Sequence, residues 1–453
     1  MDAVSQFADY VAETKFSDLP REVVDNTKKF IIDTIGVGIA GIEAPGCQET
    51  LGTVRKWGGV KESTVLLSRY QCPAPWAAFL NSIFMHAIDF DDALDASALH
   101  ANVSTLPAAL ALAETQKETT GKDLICAVAI GQDVTCRIGS SLKRPLAWIR
   151  TATCGCFGAT AAAGKILKLD KEKIWDALGI AYSQTSGNMQ CLLDGALVKR
   201  MQPAFAAKAA VISSLLAQNR ITGTRNVLEG DYGFFKLYEG NEYDRGILLD
   251  GLGKNYTGME LSVKPYPCCR MTHASIDAAL RLRKDPRFKI SNVEKINVSP
   301  SKMSFEMVGS PFQIRKTPQV DAQFSIPYTV AVALTKGDVF LEDFEEKNVF
   351  NKDIKMLADK VVVSADPTLD KRDIMHCRID AVMKGGKTIR AEISALKGNP
   401  LNPMGIDDCM EKFRKCASYS SRNISPDKVS SILNTLSSLE NIKDIKQLTR
   451  LLT

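Results

Sequence analysis

The sequence lacks the features that mark membrane, nucleic-acid and repeat proteins. The 453 residues contain no run of about 18 apolar residues, so no membrane span is expected. Lysines and arginines form no block and the net charge is only +5, which argues against a nucleic-acid partner. No internal repeat or low-complexity segment occurs. The 45% hydrophobic content predicts a globular protein with a large core, and the modest positive charge fits a pocket for an anion.

Cysteine is present, but it lacks the spacing of zinc sites. None of the twelve cysteines forms a CxxC pair, and the shortest spacings are Cys154-x-Cys156 and the adjacent Cys268 and Cys269. The first ten residues, MDAVSQFADY, also lack the charged and apolar pattern of a secretory leader. We therefore expect reduced thiols, no structural zinc and a cytoplasmic location.

Hydrophobic spacing predicts a mainly α protein. Apolar residues before position 263 recur with the period of packed helices. Short β-branched segments follow, and residues 376–394 are typical of a hairpin that turns at Gly385 and Gly386. We predict a large all-helical domain and a smaller α+β lid domain inserted before the C-terminal helices. The predicted bounds are 1–262, completed by 401–453, for the helical domain and 263–400 for the lid.

The segment GVGIAG (36–41) matches the GxGxxG pattern of dinucleotide-binding proteins letter for letter. That pattern requires a preceding strand and an acidic residue at the end of a second strand about 20 positions later, and neither is found here. The residues before it have a helical period. We therefore expect these glycines to let two helices pack closely.

Histidine is scarce, and three of the four histidines lie among other reactive side chains. The histidines are His86, His100, His273 and His376. HAIDFDD places His86, Asp89 and Asp92 three residues apart, so in a helix neighbouring members of this set would share a face. Asp91 and Asp92 are expected either to serve chemistry or to cap and bridge helices, because buried carboxylates need partners. A metal would need a third well-spaced ligand, so no metal site is predicted.

Two further segments supply cations. Lys199 and Arg200 precede an apolar helix, and KPYPCCRMTH gathers Lys264, Arg270 and His273. Such cations clamp carboxylates and stabilise the dianion formed when a proton leaves the adjacent carbon. A histidine near a helix N-terminus tends to stay neutral, which suits a proton acceptor. The candidate acid–base groups are His100, His273 and Tyr328, with Asp89 as an orienting carboxylate.

The segments HAIDFDD, TATCGCFGATAAAGKIL, KRMQPAFAAKAAV, KPYPCCRMTHASIDA and AQFSIPYTVAVAL resemble the MmgE/PrpD family over nearly the whole chain. This family includes 2-methylcitrate dehydratase, cis-aconitate decarboxylase and iminodisuccinate epimerase. The resemblance implies a helical domain with a smaller α+β lid and a homodimer. It also implies action on a small polycarboxylate without a metal or other cofactor.

By position in these motifs, the resemblance implies functional roles for Asp89, His100, Lys199, Lys264 and Tyr328. We expect His100, oriented by Asp89, to be the general base, and either Tyr328 or His273 to be the opposing acid. The residues expected to bind or contact the substrate are Lys199, Arg200, Lys264, Cys269 and Arg270.

Several positions depart from the family decarboxylases. Ala93 replaces a threonine, Ile149 a histidine common in the family, Gln202 another common histidine, and Cys269 the decarboxylase histidine. These losses argue against cis-aconitate decarboxylase itself, and Arg150 would add a carboxylate clamp. A lyase of the dehydratase or decarboxylase type is the leading prediction. The alternatives are a dicarboxylate epimerase and a degenerate paralogue that binds a metabolite without turnover.

Overall fold

The structure is a computed structural model that describes residues 2–315 and 317–453. The chain divides into two compact units. One, called the helical unit below, comprises Met1–Val263 and Gly405–Thr453, and the other, called the mixed unit, comprises Lys264–Met404. The chain is mainly α, as the hydrophobic spacing predicts. Over the described residues, no helix combines the length and the hydropathy that crossing a membrane requires.

The first part of the helical unit is a succession of α-helices. In chain order these are α1 (Ala3–Glu13), α2 (Arg21–Gly41), α3 (Cys47–Trp57), α4 (Ala74–His86), α5 (Asn102–Thr115), α6 (Gly121–Ser141), α7 (Arg150–Ile166), α8 (Lys171–Tyr182), α9 (Gln190–Leu193), α10 (Gln202–Gln218), α11 (Phe234–Glu239) and α12 (Arg245–Leu249). Local chemistry defines their ends. At the start of α6, for example, Thr120 and Asp123 bond each other's backbone N–H groups in a capping box.

Glycines let the central helices approach closely. GVGIAG lies inside α2, and a Cβ added at Gly41 would sit only 2.1 Å from the carbonyl oxygen of Phe84 on α4. Gly131 on α6 and Gly158 on α7 face each other in the same way, since a Cβ at Gly131 would lie 2.7 Å from Gly158 O. The prediction that the glycine motif serves helix packing is confirmed.

The helical unit contains one hairpin that the sequence interpretation did not foresee. Strands β1 (Ser63–Val65) and β2 (Tyr70–Cys72) pair antiparallel, with Thr64 opposite Gln71. The turn places Leu67 and Arg69 at positive φ, which are residues that rarely mark hairpin turns. The predicted all-helical domain therefore carries a short hairpin that has no glycine or asparagine signal.

The mixed unit packs helices against a four-stranded sheet. Its helices are α13 (His273–Arg283), α14 (Lys302–Val308), α15 (Pro318–Gln323), α16 (Ile326–Lys336), α17 (Glu346–Val349) and α18 (Lys352–Ala358). Its strands are β3 (Val293–Ser299), β4 (Val361–Val363), β5 (Cys377–Met383) and β6 (Thr388–Ile393), in the order β4-β3-β5-β6. Only β3 and β4 are parallel. The predicted hairpin at Gly385 and Gly386 is confirmed, and both glycines have positive φ.

The C-terminal helices complete the helical unit. They are α19 (Ile406–Tyr419), α20 (Pro426–Ser437) and α21 (Lys446–Leu451). Ser425 caps α20 and Pro426 occupies its first turn, as the sequence predicts. Helix α19 packs on α2, where a Cβ at Gly36 would lie 2.9 Å from the ring of Phe413.

Candidate active site

The helix α4 ends at His86, and the acidic segment after it is a loop. Asp89 has a φ of 56°, in the left-handed region that side chains other than glycine adopt rarely and aspartate more readily than most. The prediction that His86, Asp89 and Asp92 share a helix face is therefore wrong, because the helix stops before Asp89. Such strained backbone is often found at functional sites.

Asp92 caps the next helix. Its carboxylate accepts hydrogen bonds from Ala101 N at 2.8 Å and Asn102 N at 3.2 Å, at the start of α5. This bears out capping, one of the two roles expected for this pair of acids. Burial raises the pKa of Asp92 to about 7, the charge of Asp91 adds to the rise, and the two backbone N–H groups oppose it.

Asp91 lies between two histidines. Its Oδ2 is 2.8 Å from His86 Nδ1 and 3.3 Å from His100 Nδ1, and the two imidazole rings are 5.2 Å apart between centroids. His100 Nδ1 also bonds the carbonyl oxygen of Asp92. Because a carbonyl oxygen only accepts, Nδ1 of His100 carries the proton, and the neutral ring has its lone pair on Nε2.

The lysine of the KR pair reaches the same loop. Lys199, in the 3-10 helix Leu197–Met201, places Nζ 3.2 Å from Asp89 Oδ1. The charges of Lys199 and Asp89 both act on buried His86, whose pKa is lowered chiefly by burial, while Asp91 opposes the shift. Lys199, Asp89, Asp91 and the two histidines therefore form one charged cluster, called the loop cluster below.

The structure places beside His100 a carboxylate that the sequence prediction did not assign to it. Asp91 makes the 3.3 Å contact to its ring, and Asp89 makes the contact to Lys199. Sequence reasoning expected Asp91 either to serve chemistry or to cap and bridge helices, and it did not pair Asp91 with His100. No spacing rule separates the two acids, since the loop after His86 decides which one faces each partner.

Arg150 and Arg200 bond within the helical unit. Arg150 donates to Arg144 O at 2.6 Å and lies 3.7 Å from the carboxylate of buried Glu239. Arg200 is buried and donates to Pro45 O at 3.1 Å.

Lys412 contacts the loop after α4, and sequence reasoning missed this residue. On α19, it lies 2.8 Å from Asp33 Oδ1 and donates to Phe90 O at 2.7 Å, in the loop between His86 and Asp91. The signal was available, because Lys412 occupies a position of the buried stripe that also contains Cys409 and Cys416.

In the mixed unit, His273 is held in one tautomer. Arg270 Nη1 lies 3.2 Å from His273 Nδ1, and His273 Nε2 lies 3.3 Å from Cys268 O. Because arginine only donates, Nδ1 accepts and Nε2 carries the proton. Arg270 also donates to Lys397 O at 3.2 Å.

Tyr328 lies in the core of the mixed unit. It is fully buried on α16, its hydroxyl donates to Asp343 O, and its ring packs on Phe312 and Phe344. Burial raises the pKa of Tyr328 well above its ordinary value. Its surroundings are those of a core tyrosine.

The other candidates of the mixed unit differ in exposure. Lys264 is buried, whereas Cys269 is partly exposed and donates its backbone N–H to Gln323 O at 3.0 Å. Gln323 in turn donates to Pro267 O at 2.8 Å, which ties α15 to the KPYPCCR segment. Over residues 2–315 and 317–453, no group of three histidine, cysteine or acidic side chains has the arrangement of a metal site.

These observations define a mainly α protein with a buried acid–base cluster in its helical unit. Residues 5–245 match the MmgE/PrpD N-terminal domain, and residues 266–434 match the MmgE/PrpD C-terminal domain. The chain belongs to the MmgE/PrpD family, and the resemblance inferred from its motifs is confirmed.

Curated relatives match over the full length. The chain is 28% identical to the cis-aconitate decarboxylase-like protein oryM of Aspergillus oryzae, covering 100% of this chain and 97% of the relative. It is 27% identical to cis-aconitate decarboxylase of Aspergillus terreus, with 99% and 95% covered. The human cis-aconitate decarboxylase is 26% identical, with 98% and 93% covered.

Proposed function

We propose that the chain is a lyase that acts on a small di- or tricarboxylate by moving a proton at the carbon next to a carboxylate. The observation that carries this proposal is the orientation of His100. Its Nδ1–H points to Asp92 O and Asp91, so Nε2 is the nitrogen that accepts a proton. A histidine in this state is suited to general base catalysis near neutral pH.

The proposed step moves one proton and one electron pair. His100 Nε2 takes the proton, the C–H bond breaks, and its electron pair enters the adjacent carboxylate to form an enediolate. The imidazolium is stabilised by Asp91 at 3.3 Å, and the ammonium of Lys199 stabilises the enediolate. Lys199 has three donors, so its bond to Asp89 leaves capacity for a substrate oxygen.

The two lyase types use the histidine differently. In a dehydration, the electron pair of the enediolate forms the double bond as hydroxide departs with a proton from an acid. In a decarboxylation, no C–H bond breaks first: the C–COO⁻ bond breaks, carbon dioxide departs, and the electron pair of that bond stays on the substrate, which takes one proton at carbon from a protonated group. The activity for which these relatives are named makes cis-aconitate the first substrate to test.

Two positions favour testing other substrates as well. Ile149 packs with Ala152 and Cys191 in an apolar cluster, and Ala93 pairs its backbone with Ser262. Neither side chain offers a polar group to a substrate. This supports keeping 2-methylcitrate and iminodisuccinate, the substrates of a dehydratase and an epimerase, beside cis-aconitate.

The remaining residue assignments are also proposals. Lys264 and Arg270 are proposed to hold a substrate carboxylate, and either His273 or Tyr328 to act as acid. Each donates its proton to a backbone carbonyl oxygen, His273 Nε2 to Cys268 O at 3.3 Å and the Tyr328 hydroxyl to Asp343 O, so either would exchange that bond for one to the substrate. Arg150, with Glu239 at 3.7 Å, is better explained as a structural cation than as a clamp.

We further propose a homodimer in a reducing, cytoplasmic compartment. All twelve cysteines lie in the described part of the chain, and none of them forms a disulfide there. Trp57 and Phe205 are 57% and 38% exposed and belong to one aromatic cluster with Trp76 and Phe79, over which Lys208 lies. Exposed aromatic clusters of this kind are typical of protein interfaces. Light scattering after gel filtration tests the dimer, and Trp57→Ser with Phe205→Ser should shift it toward monomer.

Proton NMR in D2O tests the proposed reaction. The purified protein is mixed separately with cis-aconitate, trans-aconitate, citrate, 2-methylcitrate and iminodisuccinate, before and after dialysis against EDTA. Loss of a substrate with growth of an olefinic or decarboxylated product, retained after EDTA, is expected. Deuterium uptake at one carbon without net product would replace the lyase with the epimerase. If all five stay unchanged while one raises the melting temperature, the protein binds a metabolite without turnover.

A further inference from the structure

We propose that His86 is a positioning residue that holds Asp91 and thereby fixes the orientation and tautomer of His100. The effect on catalysis rests on the proposed function, whereas the effect on the His100 ring does not. Both histidines and Asp91 lie in the helical unit, one compact part of the chain.

His86 and His100 share one carboxylate oxygen of Asp91. Both Nδ1 atoms contact the same carboxylate oxygen, Asp91 Oδ2, at 2.8 Å for His86 and 3.3 Å for His100. A carboxylate oxygen accepts, so His86 donates its Nδ1–H to the carboxylate. The shorter bond belongs to His86, the last residue of α4, whereas Asp91 lies in the loop that follows. His86 therefore anchors a loop carboxylate to a helix.

His86 is itself poorly placed to be the base. It is 1% exposed, and burial is the chief cause that lowers its pKa, so it stays neutral near pH 7. The charged groups that act on it are Asp91, Lys199 and Asp89. His100, by contrast, has a side chain that is 16% exposed. A buried neutral donor that holds a carboxylate orients the more accessible histidine and does not exchange protons with a ligand.

Two substitutions at position 86 distinguish the effect of the hydrogen bond to Asp91 from the effect of side-chain volume. In His86→Asn, Nδ2 of the amide occupies the place of Nδ1 and still donates to Asp91. In His86→Leu, a side chain of similar size gives no donor, and the buried Asp91 carboxylate loses its 2.8 Å bond. Asp91 then interacts more strongly with His100, which favours the imidazolium and shifts the pKa of His100 upward.

The first readout needs no turnover. With only four histidines, protein labelled with ¹⁵N in histidine gives few ring signals, which His100→Gln and His376→Ala assign. The wild type is expected to show His100 protonated at Nδ1 in the neutral ring, with His86→Asn like it. His86→Leu is expected to show altered nitrogen shifts and a higher His100 pKa. Wild-type His100 protonated at Nε2 would overturn the proposal without any variant.

The second readout is the pH profile on whichever substrate the wild type converts. His86→Leu is expected to lower kcat by between about 10-fold and 100-fold, the size typical of a misplaced catalytic group, and to move the acidic limb of kcat/KM to higher pH. His86→Asn should restore most of kcat. If His86→Leu folds and keeps the wild-type profile and ring shifts, His86 has no positioning role. If the wild type converts nothing while the ring shifts behave as expected, the proposed function fails and the positioning role stands.

Discussion

Lys412 Nζ, on α19 near the C-terminus, lies 2.8 Å from Asp33 Oδ1 on α2 and donates to Phe90 O in the loop that carries Asp89 and Asp91. The side chains of Lys412 and Asp33 are 5% and 0% exposed, and the ammonium also lies 3.8 Å from the centre of the Phe90 ring. One buried cation therefore ties two helices to the backbone of the candidate site.

Substitution Lys412→Met should be strongly destabilising. It leaves the Asp33 carboxylate buried without its cation and Phe90 O without its donor, and breaking a buried pair in this way costs about 3–5 kcal/mol. Burial already raises the pKa of Asp33, with Lys412 opposing the shift, so removal of the cation should raise it further. Denaturant unfolding at pH 7 measures the loss.

The matched control for this prediction also removes the charge of Asp33. In Asp33→Asn with Lys412→Met, no uncompensated carboxylate remains, so the double variant should be more stable than Lys412→Met alone. Equal stability of the two variants would show that the ion pair contributes little and that the bond to Phe90 O is the important contact. Together with Asp33→Asn alone, these variants complete a double-mutant cycle, which separates the two terms.

Two residues of the loop cluster should control turnover. His100→Ala removes the proposed base and Lys199→Ala the proposed cation, and each should cut turnover at least about 100-fold. His376→Ala is the matched control, because His376 is half-exposed and pairs with Asp373 at 2.6 Å in the mixed unit. Product formation in the NMR assay measures all three. A folded His100→Ala protein with near-normal turnover would rule out His100 as the base.

Stability should depend on pH through Asp92. Its pKa is raised to about 7 in the folded state, above its value in an unfolded chain, so the folded state binds the extra proton. The contribution of Asp92 to the free energy of unfolding is full below about pH 4 and is lost as the pH rises toward 7. A difference of three pKa units corresponds to about 4 kcal/mol. Asp91 and Asp33 add to the rise of this pKa, and Ala101 N and Asn102 N oppose it.

The substitution Asp92→Asn tests this pH-dependent contribution of Asp92 to stability. Asparagine keeps an acceptor for the start of α5 but carries no charge, so the fall between pH 4 and 7 should shrink. Melting temperatures of both proteins over this range provide the test. Parallel curves for wild type and variant would mean that Asp92 keeps one protonation state throughout.

The helices and the motifs were predictable from sequence because both depend on local chemistry. Apolar period placed α2 and α10, and Ser425 with Pro426 marked the start of α20. The hairpin β1–β2 was missed because Leu67 and Arg69 adopt positive φ where glycine or asparagine would have given a signal.

The pairing inside the site was less predictable. Which of Asp89 and Asp91 faces His100 depends on a loop that leaves α4 at His86 with one left-handed residue. Lys412 joins the loop from more than 300 positions away in the sequence, and nothing local links it to Phe90. Long-range contacts of this kind follow from helix packing and not from spacing.

Substitution of Gly41, the last glycine of GVGIAG, tests the packing of α2 on α4. A Cβ at Gly41 would meet the carbonyl oxygen of Phe84 at 2.1 Å, and backbone atoms cannot move aside as a flexible side chain can. Gly41→Ala should therefore push α2 from α4 and cost about 1–3 kcal/mol. Gly52, in α3, has no atom within 4 Å of an added Cβ, so Gly52→Ala should stabilise the protein by up to about 1 kcal/mol through helix propensity. Thermal unfolding of both variants compares the same change of residue in crowded and open surroundings. If Gly41→Ala were as stable as Gly52→Ala, α2 and α4 would have to lie farther apart in solution, and the loop that follows α4 would lose its fixed support.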